Sequence, residues 1–398
     1  IYHGMAFRPY YLSREWVKMG HEVTIAAANF SHNRQKNIDM EEPIKEEYID
    51  GIRYVWLKTP AYHGNGIGRI KNMLSFLRKL YKFEKVINKD LDPDVVIASS
   101  TYPLDSYPAN WIAKKHKAKF VFELHDLWPM SPMVLSNMSK WHPFIMLMQK
   151  AEDYWCKNAD LVVSLLPDAY KHLVTRGMSM DKYVVIPNGI SPDEWGEGKE
   201  EIPQEHRQCI NVLTENNKFI VSYVGGHALS CGLDMYLDVA EILLDDQKIH
   251  FVFVGQGAEK KRLIERAENM GLINVTFLPP VPKKSVPGLL DAMDLLVICG
   301  SDTPLSEYGE SANKIRDYMM ASKPIIHCSR VDNDIVSLSG CGYIFRHGEV
   351  DMIANKINEF SKMDKEKISE IGQKGKSYIL QKLTYPWLAA KFIDELQK

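Results

Sequence analysis

The chain is short of cysteine and has no C-x-x-C pair. Its six cysteines, Cys156, Cys209, Cys231, Cys299, Cys328 and Cys341, are scattered over 398 residues. That spacing makes neither a zinc site nor a disulfide framework and reads as reduced thiols in a cytoplasmic protein. No apolar run reaches the length that spans a bilayer, and no stretch reads as a signal peptide. Charge of one sign is also lacking. The net charge of −2 argues against a general nucleic-acid binder. No His, Asp or Glu cluster has metal-ligand spacing, and Asp126 beside His125 reads more readily as a capping pair than as ligands. There is no complete G-x-G-x-x-G, no G-K-S/T phosphate loop and no G-x-S-x-G elbow, which disfavours dinucleotide, P-loop and serine hydrolase chemistry. Internal repeats and low-complexity segments are missing too.

What is present is the composition of a folded protein, 45% apolar and 25% charged, with length for two domains. Two successive sets of alternating strands and helices predict two Rossmann-like α/β domains. The first covers 1–190. It lacks the full strand that normally opens such a unit, starting instead with a loop and an amphipathic helix from Arg8. Gly4 and Arg8 at the mouth of that helix are candidate acceptor contacts. A hairpin is expected around Asp50-Gly51. His125 is expected at the carboxyl end of a strand, where open α/β sheets bind ligands. A helix over 69–89, with Ile70, Met73, Leu74, Leu77 and Leu80 on one face, carries many Lys and Arg. It reads either as a solvated face or as a surface that meets anionic lipid. Residues 191–218 read as a linker with a short helix. The second domain covers 219–380, and 381–398 holds a final amphipathic helix.

In the second domain the turns Gly225-Gly226 and Gly255-x-Gly257 each follow a strand, and glycine there permits close backbone approach. The most informative stretch runs from Gly309 to Ile326. A Ser-Ala-Asn turn opens a helix in which Ile315 and Met319 share a face, and Pro324 stops it. A helix entered this way aims free N–H groups at an anion. Lys314 adds charge in its first turn. Asp317, one turn on, is suited to a vicinal diol. On spacing alone a capped core helix explains the stretch as well.

Tyr308, Gly309, Ser311, Asn313, Lys314, Asp317, Tyr318, Met319, Lys323 and Pro324 match a pattern that resembles the nucleotide-sugar signature of family 4 retaining glycosyltransferases. More narrowly, it resembles the branch that builds bacterial O-antigen and surface polysaccharides. The resemblance runs over nearly the whole chain. It implies the GT-B fold, with two Rossmann-like domains facing across a cleft and the last helix crossing back to the first domain. It implies a UDP-sugar donor, in this branch of an N-acetylated hexose or deoxyhexose, and a glycan or polyprenyl-diphosphate-linked acceptor. It implies no resident cofactor and no metal. The place of work would be cytoplasmic, peripheral on the inner face of the plasma membrane.

Carried over, Gly225, Gly226 and His227 would face the diphosphate. Pro280 and Val281 would lie against the base. Glu310, Ser311, Ala312, Asn313 and Lys314 would meet phosphate and sugar, and Asp317 the ribose. His125 and Lys314 would be catalytic, and Asn188 would join Gly4 and Arg8 on the acceptor side. The chain departs from the family where an Arg and a Lys are common, having Gly226 and Cys231 instead. His227, Lys314 or Arg8 is then expected to supply the charge. Eight positions before Asp317, where the family has a glutamate, stands Gly309, flanked by Glu307 and Glu310. Competing expectations are a UDP-N-acetylglucosamine 2-epimerase and a non-catalytic member of a polysaccharide assembly complex.

Overall fold

The computed structural model describes residues 8–398 apart from 33, 35, 65, 90–91, 197–199, 301, 310 and 332–333. The chain forms two compact units. One is Ile1–Asn188 with Tyr385–Lys398, and the other is Gly189–Thr384. The stretch before Arg8, where the sequence offers no full opening strand, falls outside the described residues.

In the first unit, helix Arg8–Lys18 leads to β1 (Thr24–Ala28), β2 (Ile44–Ile49) and β3 (Ile52–Leu57). These make a three-stranded sheet in the order β1-β3-β2, in which β1 and β3 are parallel and β2 and β3 antiparallel. The hairpin turn is Asp50-Gly51, both at positive φ, 50° and 80°, the signature of a two-residue turn that matches strand twist. Then come β4 (Val95–Ala98), β5 (Lys119–Leu124), β6 (Leu161–Ser164) and β7 (Tyr183–Val185), all parallel and adjacent in chain order. Their carboxyl ends share one edge.

The basic helix expected over 69–89 is two helices, Ile67–Lys82 and Glu84–Ile87, broken at Phe83. The break lets Glu84 turn inward, where it pairs with Lys115 and His116. The buried face is Asn72, Met73, Phe76 and Leu80, and Leu74 points outward, 50% exposed. Residues 73 and 74 differ by 100° around a helix, so only the neighbours decide which one faces the core.

The second unit carries six parallel strands. These are β8 (Phe219–Val224), β9 (Ile249–Val254), β10 (Val275–Leu278), β11 (Leu295–Cys299), β12 (Ile325–Cys328) and β13 (Gly342–Phe345). Their order is β10-β9-β8-β11-β12-β13. All six residues of β9 and all five of β11 are buried, as befits parallel strands covered on both faces. Strand order reverses between β8 and β11, which makes the carboxyl ends of these two strands the natural binding crevice.

Residues 191–218 hold the short helix expected there. It is Gln204–Glu215, and it belongs to the second unit. His206, Ile210 and Leu213 are buried along one stripe, and His206 Nε2 donates to the Pro279 carbonyl at 2.8 Å.

The C-terminal helix Tyr385–Gln397 is part of the first unit. Tyr385 stacks on Tyr11 at 4.5 Å between ring centroids, and Phe392 meets Trp16 edge-on at 5.1 Å. Trp16 Nε1 donates to the Ala389 carbonyl at 3.1 Å. Burying these aromatics stabilises the contact by several kcal/mol, about 25 cal/mol per Å² of apolar area.

Candidate functional site

Two groups of side chains stand at strand carboxyl ends, one on each unit. On the second unit, β8 runs into Gly225-Gly226-His227, and helix Asn313–Met320 lies beside this turn. Tyr318 ties the two together. Its buried hydroxyl accepts from the Val224 amide at 2.8 Å. No side chain caps this helix at Ala312, so first-turn amides are left for a ligand.

Lys314 arches back over the turn. Its ammonium donates to Tyr223 Oη, and that hydroxyl donates to the Gly226 carbonyl at 2.7 Å. Nζ lies 4.5 Å from the centroid of the Tyr223 ring and 3.9 Å from Cys231 Sγ. Burial lowers the Lys314 ammonium from its ordinary value, and the neighbouring Cys231 opposes that shift. Glycine at 225 is required by its backbone, at φ +159°, and a Cβ there would also stand 2.2 Å from Lys314 Cε.

Gly255 and Gly257 have a different reason. A Cβ at 255 would lie 1.8 Å from the Gly225 carbonyl oxygen, and one at 257 would lie 2.1 Å from that of His227. Their close approach is to the neighbouring turn of the protein itself. Gly226 alone of the four has an open side, its nearest neighbour to a Cβ being the Gln256 carbonyl oxygen at 3.9 Å.

The expectation that His227 supplies positive charge is not met. The residue is fully buried, and neither ring nitrogen has a hydrogen-bond partner. Burial, with Lys260 and Lys314 nearby, pushes its imidazole down to about 4, so the ring is neutral at pH 7. Arg8 does not supply it either, its guanidinium being held in a buried ion pair described below. Lys314 and Lys260 remain as cations near this turn, with Lys260 Nζ held by the Gly255 and Leu278 carbonyls at 2.9 and 2.7 Å.

Asp317 is half-buried one turn beyond Lys314, and no hydrogen bond to its carboxylate is found among the described residues. Desolvation lifts its carboxyl to about 6, against the pull of Lys283 and Arg316. Ser311 is half-buried with Oγ 3.3 Å from Arg316 Nη2, Ala312 is half-buried, and Asn313 is exposed. Pro280 is exposed and Val281 half-buried, just past the carboxyl end of the edge strand β10. Glu310 lies outside the described residues.

On the first unit, Glu123 and His125 are two residues apart at the end of β5, and Ser99 follows β4. The Arg8 guanidinium binds Glu123 Oε1 at 2.7 Å and the Pro187 carbonyl at 2.6 Å. Both partners of the ion pair are almost wholly buried. Ser99 Oγ donates to Glu123 Oε2. His125 Nε2 lies 3.1 Å from Ser99 Oγ and 3.2 Å from Glu123 Oε2. The acceptors facing Nε2 place its proton there, which leaves Nδ1 of the neutral ring as an acceptor. Burial alone would raise the Glu123 carboxyl, but Arg8, His125 and Ser99 together hold it well below the usual carboxylate range.

Arg8 is thus engaged inside the unit rather than presented to an acceptor, which corrects its expected role. Glu123 and Ser99 were not among the expected site residues. The Glu-x-His spacing on a strand, which sets both side chains on one face, is the signal that marks Glu123. Asp105, also buried, accepts from the Ser100 amide at 3.1 Å, and burial raises its carboxyl to about 6. Asn188 is half-buried directly after Pro187. Gly4 lies outside the described residues. Among the described residues no group of three or more His, Cys, Asp or Glu could hold a metal ion, and no helix is long and apolar enough to cross a membrane.

Two family models match the chain. A glycosyl transferase 4-like domain matches residues 3–189, and glycosyl transferases group 1 matches residues 207–378. A putative colanic acid biosynthesis glycosyl transferase, WcaI of Escherichia coli (strain K12), is 23% identical over 286 residues, covering 70% of this chain and 69% of that protein. Among solved structures, Anabaena HepE in complex with UDP-glucose is similar with a TM-score of 0.62 and 17% identity, over 87% of this chain and 86% of that one. Sucrose-phosphate synthase from Thermosynechococcus elongatus is similar at 0.67 and 15%, over 97% and 91%. An E. coli structure described as trehalose-6-phosphate bound with UDP-2-fluoro glucose is similar at 0.69 and 13%, over 99% and 96%.

Proposed function

This chain belongs to the family 4 glycosyltransferases of the GT-B type, and on that premise we propose that it transfers a sugar from a UDP-sugar with retention at the anomeric carbon. The sugar is an N-acetylated hexose or deoxyhexose. The acceptor is a glycan or a polyprenyl-diphosphate-linked glycan in surface polysaccharide assembly, met in the cytoplasm at the inner face of the plasma membrane. The observation that carries the donor assignment is Lys314 arched over the Gly225-Gly226 turn beside an uncapped helix N-terminus, at the switch point of a parallel sheet. The names of the E. coli relative and of the UDP-bound HepE support the pathway and the donor class.

In this reading the open side of Gly226 admits the diphosphate, and the first-turn amides with Lys314 take up its charge. Asp317 accepts from both ribose hydroxyls as a carboxylate. His125, oriented by Glu123 and Ser99, offers Nδ1 to a hydroxyl of the transferred sugar. The acceptor oxygen forms its bond to the anomeric carbon on the face from which the diphosphate leaves. The acceptor proton passes to the departing phosphate oxygen, so no enzymic nucleophile is required. Amide dipoles and Lys314 stabilise the charge that grows on that oxygen, and no metal takes part.

Calorimetric titration of UDP, GDP, ADP and NAD, with and without EDTA, tests the donor site. UDP alone should bind, with EDTA making no difference, and Asp317→Ala and Lys314→Ala should each weaken it at least tenfold. Binding of GDP in place of UDP would change the donor class, and no nucleotide binding at all would overturn the enzymic reading. An inverted product anomer, read by NMR, would overturn the front-face route.

A further inference from the structure

We propose that three neighbouring helices of the first unit, Ile67–Lys82, Ser106–His116 and Pro143–Asn158, form a docking face for an anionic lipid bilayer. This deepens the reading of a membrane-linked acceptor and rests on it only for the place of work. The helices lie side by side, Ser106–His116 touching both others.

Each helix has a core face of its own, so its outward apolar groups are not core. Met73, Phe76 and Leu80 are buried on the first, Ile112 and Ala113 on the second, Ile145 and Met148 on the third. On the outward side of the first helix, Ile67, Lys71, Leu74, Arg78 and Tyr81 are all exposed. Their spacing of four, three, four and three makes one stripe in which apolar and basic residues alternate. Ile67 is 72% exposed. Tyr81 meets the exposed Trp111 of the second helix edge-on at 5.1 Å, with Lys114 exposed beside them and Lys115 tied to Glu84. On the third helix Met146, Leu147, Lys150 and Lys157 are exposed. Trp141, just before that helix, is 72% exposed with Lys140 Nζ 5.3 Å from its ring centroid.

The carboxylates decide the occupant. The whole chain has 51 acidic and 49 basic residues, yet no carboxylate on these three helices is exposed. The first two carry none outside the helix caps. On the third, Glu152 is fully buried against His172, and the half-buried Asp153 is taken by Arg176. A merely solvated face would interleave Glu with Lys. A second copy of the chain would set Lys and Arg against their like, which is self-repelling. A negatively charged surface with an apolar interior matches both features. Tyr and Trp rings settle at the headgroup level, and Lys and Arg stems lie along apolar surface with their charge outward. Arg69, half-buried over Trp128, and Lys79, whose ammonium holds the Lys58 carbonyl, are engaged elsewhere. The face is therefore not the whole basic run expected over 69–89.

The test is flotation of the full chain with phosphatidylcholine vesicles, with and without phosphatidylglycerol, run alongside UDP calorimetry. The wild type should float with the anionic vesicles only. The triple variant Lys71→Gln/Arg78→Gln/Lys114→Gln should lose partitioning on the order of 100-fold, since each charge near the headgroups contributes roughly a factor of five. The double variant Leu74→Ser/Trp141→Ser should also detach, and do so in high salt as in low. Both variants alter exposed side chains and should bind UDP like the wild type. Failure of the wild type to float, or flotation of the triple variant at the wild-type level, overturns the docking face and leaves the donor reading intact. Stronger binding of the wild type to poly-glutamate than to anionic vesicles overturns it in favour of an acidic protein. Flotation without UDP binding supports the face and removes the donor reading instead.

Discussion

Substituting alanine at two glycines that sit in contact should separate folding from ligand binding. At Gly255 a Cβ would meet the Gly225 carbonyl oxygen at 1.8 Å and its carbon at 2.9 Å, and φ is +152°. Those atoms are backbone, held by the Gly225 amide's hydrogen bond to the Val254 carbonyl at 2.9 Å. They move only if β8 and β9 part at their ends. Overpacking against a fixed backbone costs about 3 kcal/mol or more. For a unit of this size that lowers Tm by roughly 6–12 °C. At Gly225 the Cβ would meet Lys314 Cε at 2.2 Å and Nζ at 2.7 Å. These are the far end of a flexible side chain, which swings off Tyr223, so Gly225→Ala carries only the strain of a Cβ at φ +159°, about 1–3 kcal/mol, and should melt closer to the wild type than Gly255→Ala, which adds a clash with fixed backbone. Gly225→Ala should instead lose the Tyr223 seat of the Lys314 ammonium. A charge-assisted hydrogen bond to phosphate contributes about 1.5–3 kcal/mol, so UDP should bind roughly 10- to 150-fold more weakly. Thermal melting and UDP calorimetry on both variants, with Lys314→Ala beside them, give the comparison. If Gly225→Ala binds UDP as the wild type does while Lys314→Ala does not, the Tyr223 seat is irrelevant to binding. A wild-type melting temperature for Gly255→Ala would refute the turn-on-turn packing.

Other consequences concern charge. With Asp317 raised to about 6 by desolvation, its carboxylate form is lost as pH falls through that value. Uridine, which has the diol but no titrating phosphate, should therefore bind more weakly below pH 6 than above pH 7, and Asp317→Asn should flatten that profile; an unchanged wild-type profile would count against the diol role. Asp105 is lifted from 3.8 to about 6, so the folded state holds its proton more tightly than the unfolded one. Its contribution to stability is present below the lower value and is lost as pH rises through the upper, at a cost of roughly 2–3 kcal/mol at neutral pH. Asp105→Asn should accordingly raise Tm at pH 8 more than at pH 4, and equal effects at the two would refute the shift. Finally, Glu123→Gln leaves the Arg8 charge buried without its partner and should cost about 3–5 kcal/mol in denaturant unfolding. Arg8→Met/Glu123→Gln should cost clearly less than the sum of the two single changes, and additivity would mean the pair is not coupled.

What could be read from the chain and what could not divide along physical lines. Strands β8, β9 and β11 were legible because parallel strands buried on both faces need unbroken apolar runs, and Phe219–Val224, Ile249–Val254 and Leu295–Cys299 supply them between glycine turns. The helix carrying Lys314 and Asp317 was legible because its turn, period and Pro324 stop are all local. The short helix expected within 191–218 is Gln204–Glu215, but its packing into the second unit was not legible, because its buried stripe includes His206, a polar residue whose partner is the Pro279 carbonyl 73 positions away. Gly255 and Gly257 looked like ligand-facing glycines because sequence shows that a close approach is needed, not what approaches. His227 and Arg8 fail as phosphate cations for the same reason. Formal charge is a property of residue type, whereas usable charge depends on burial and partners. His227 is neutralised by desolvation, and Arg8 is spent on a carboxylate 115 residues along the chain. Lys314 differs in that, among the described residues, its ammonium is paired with no carboxylate and rests on the Tyr223 hydroxyl beside Cys231 and the glycine turn. Its charge therefore remains available to a diphosphate.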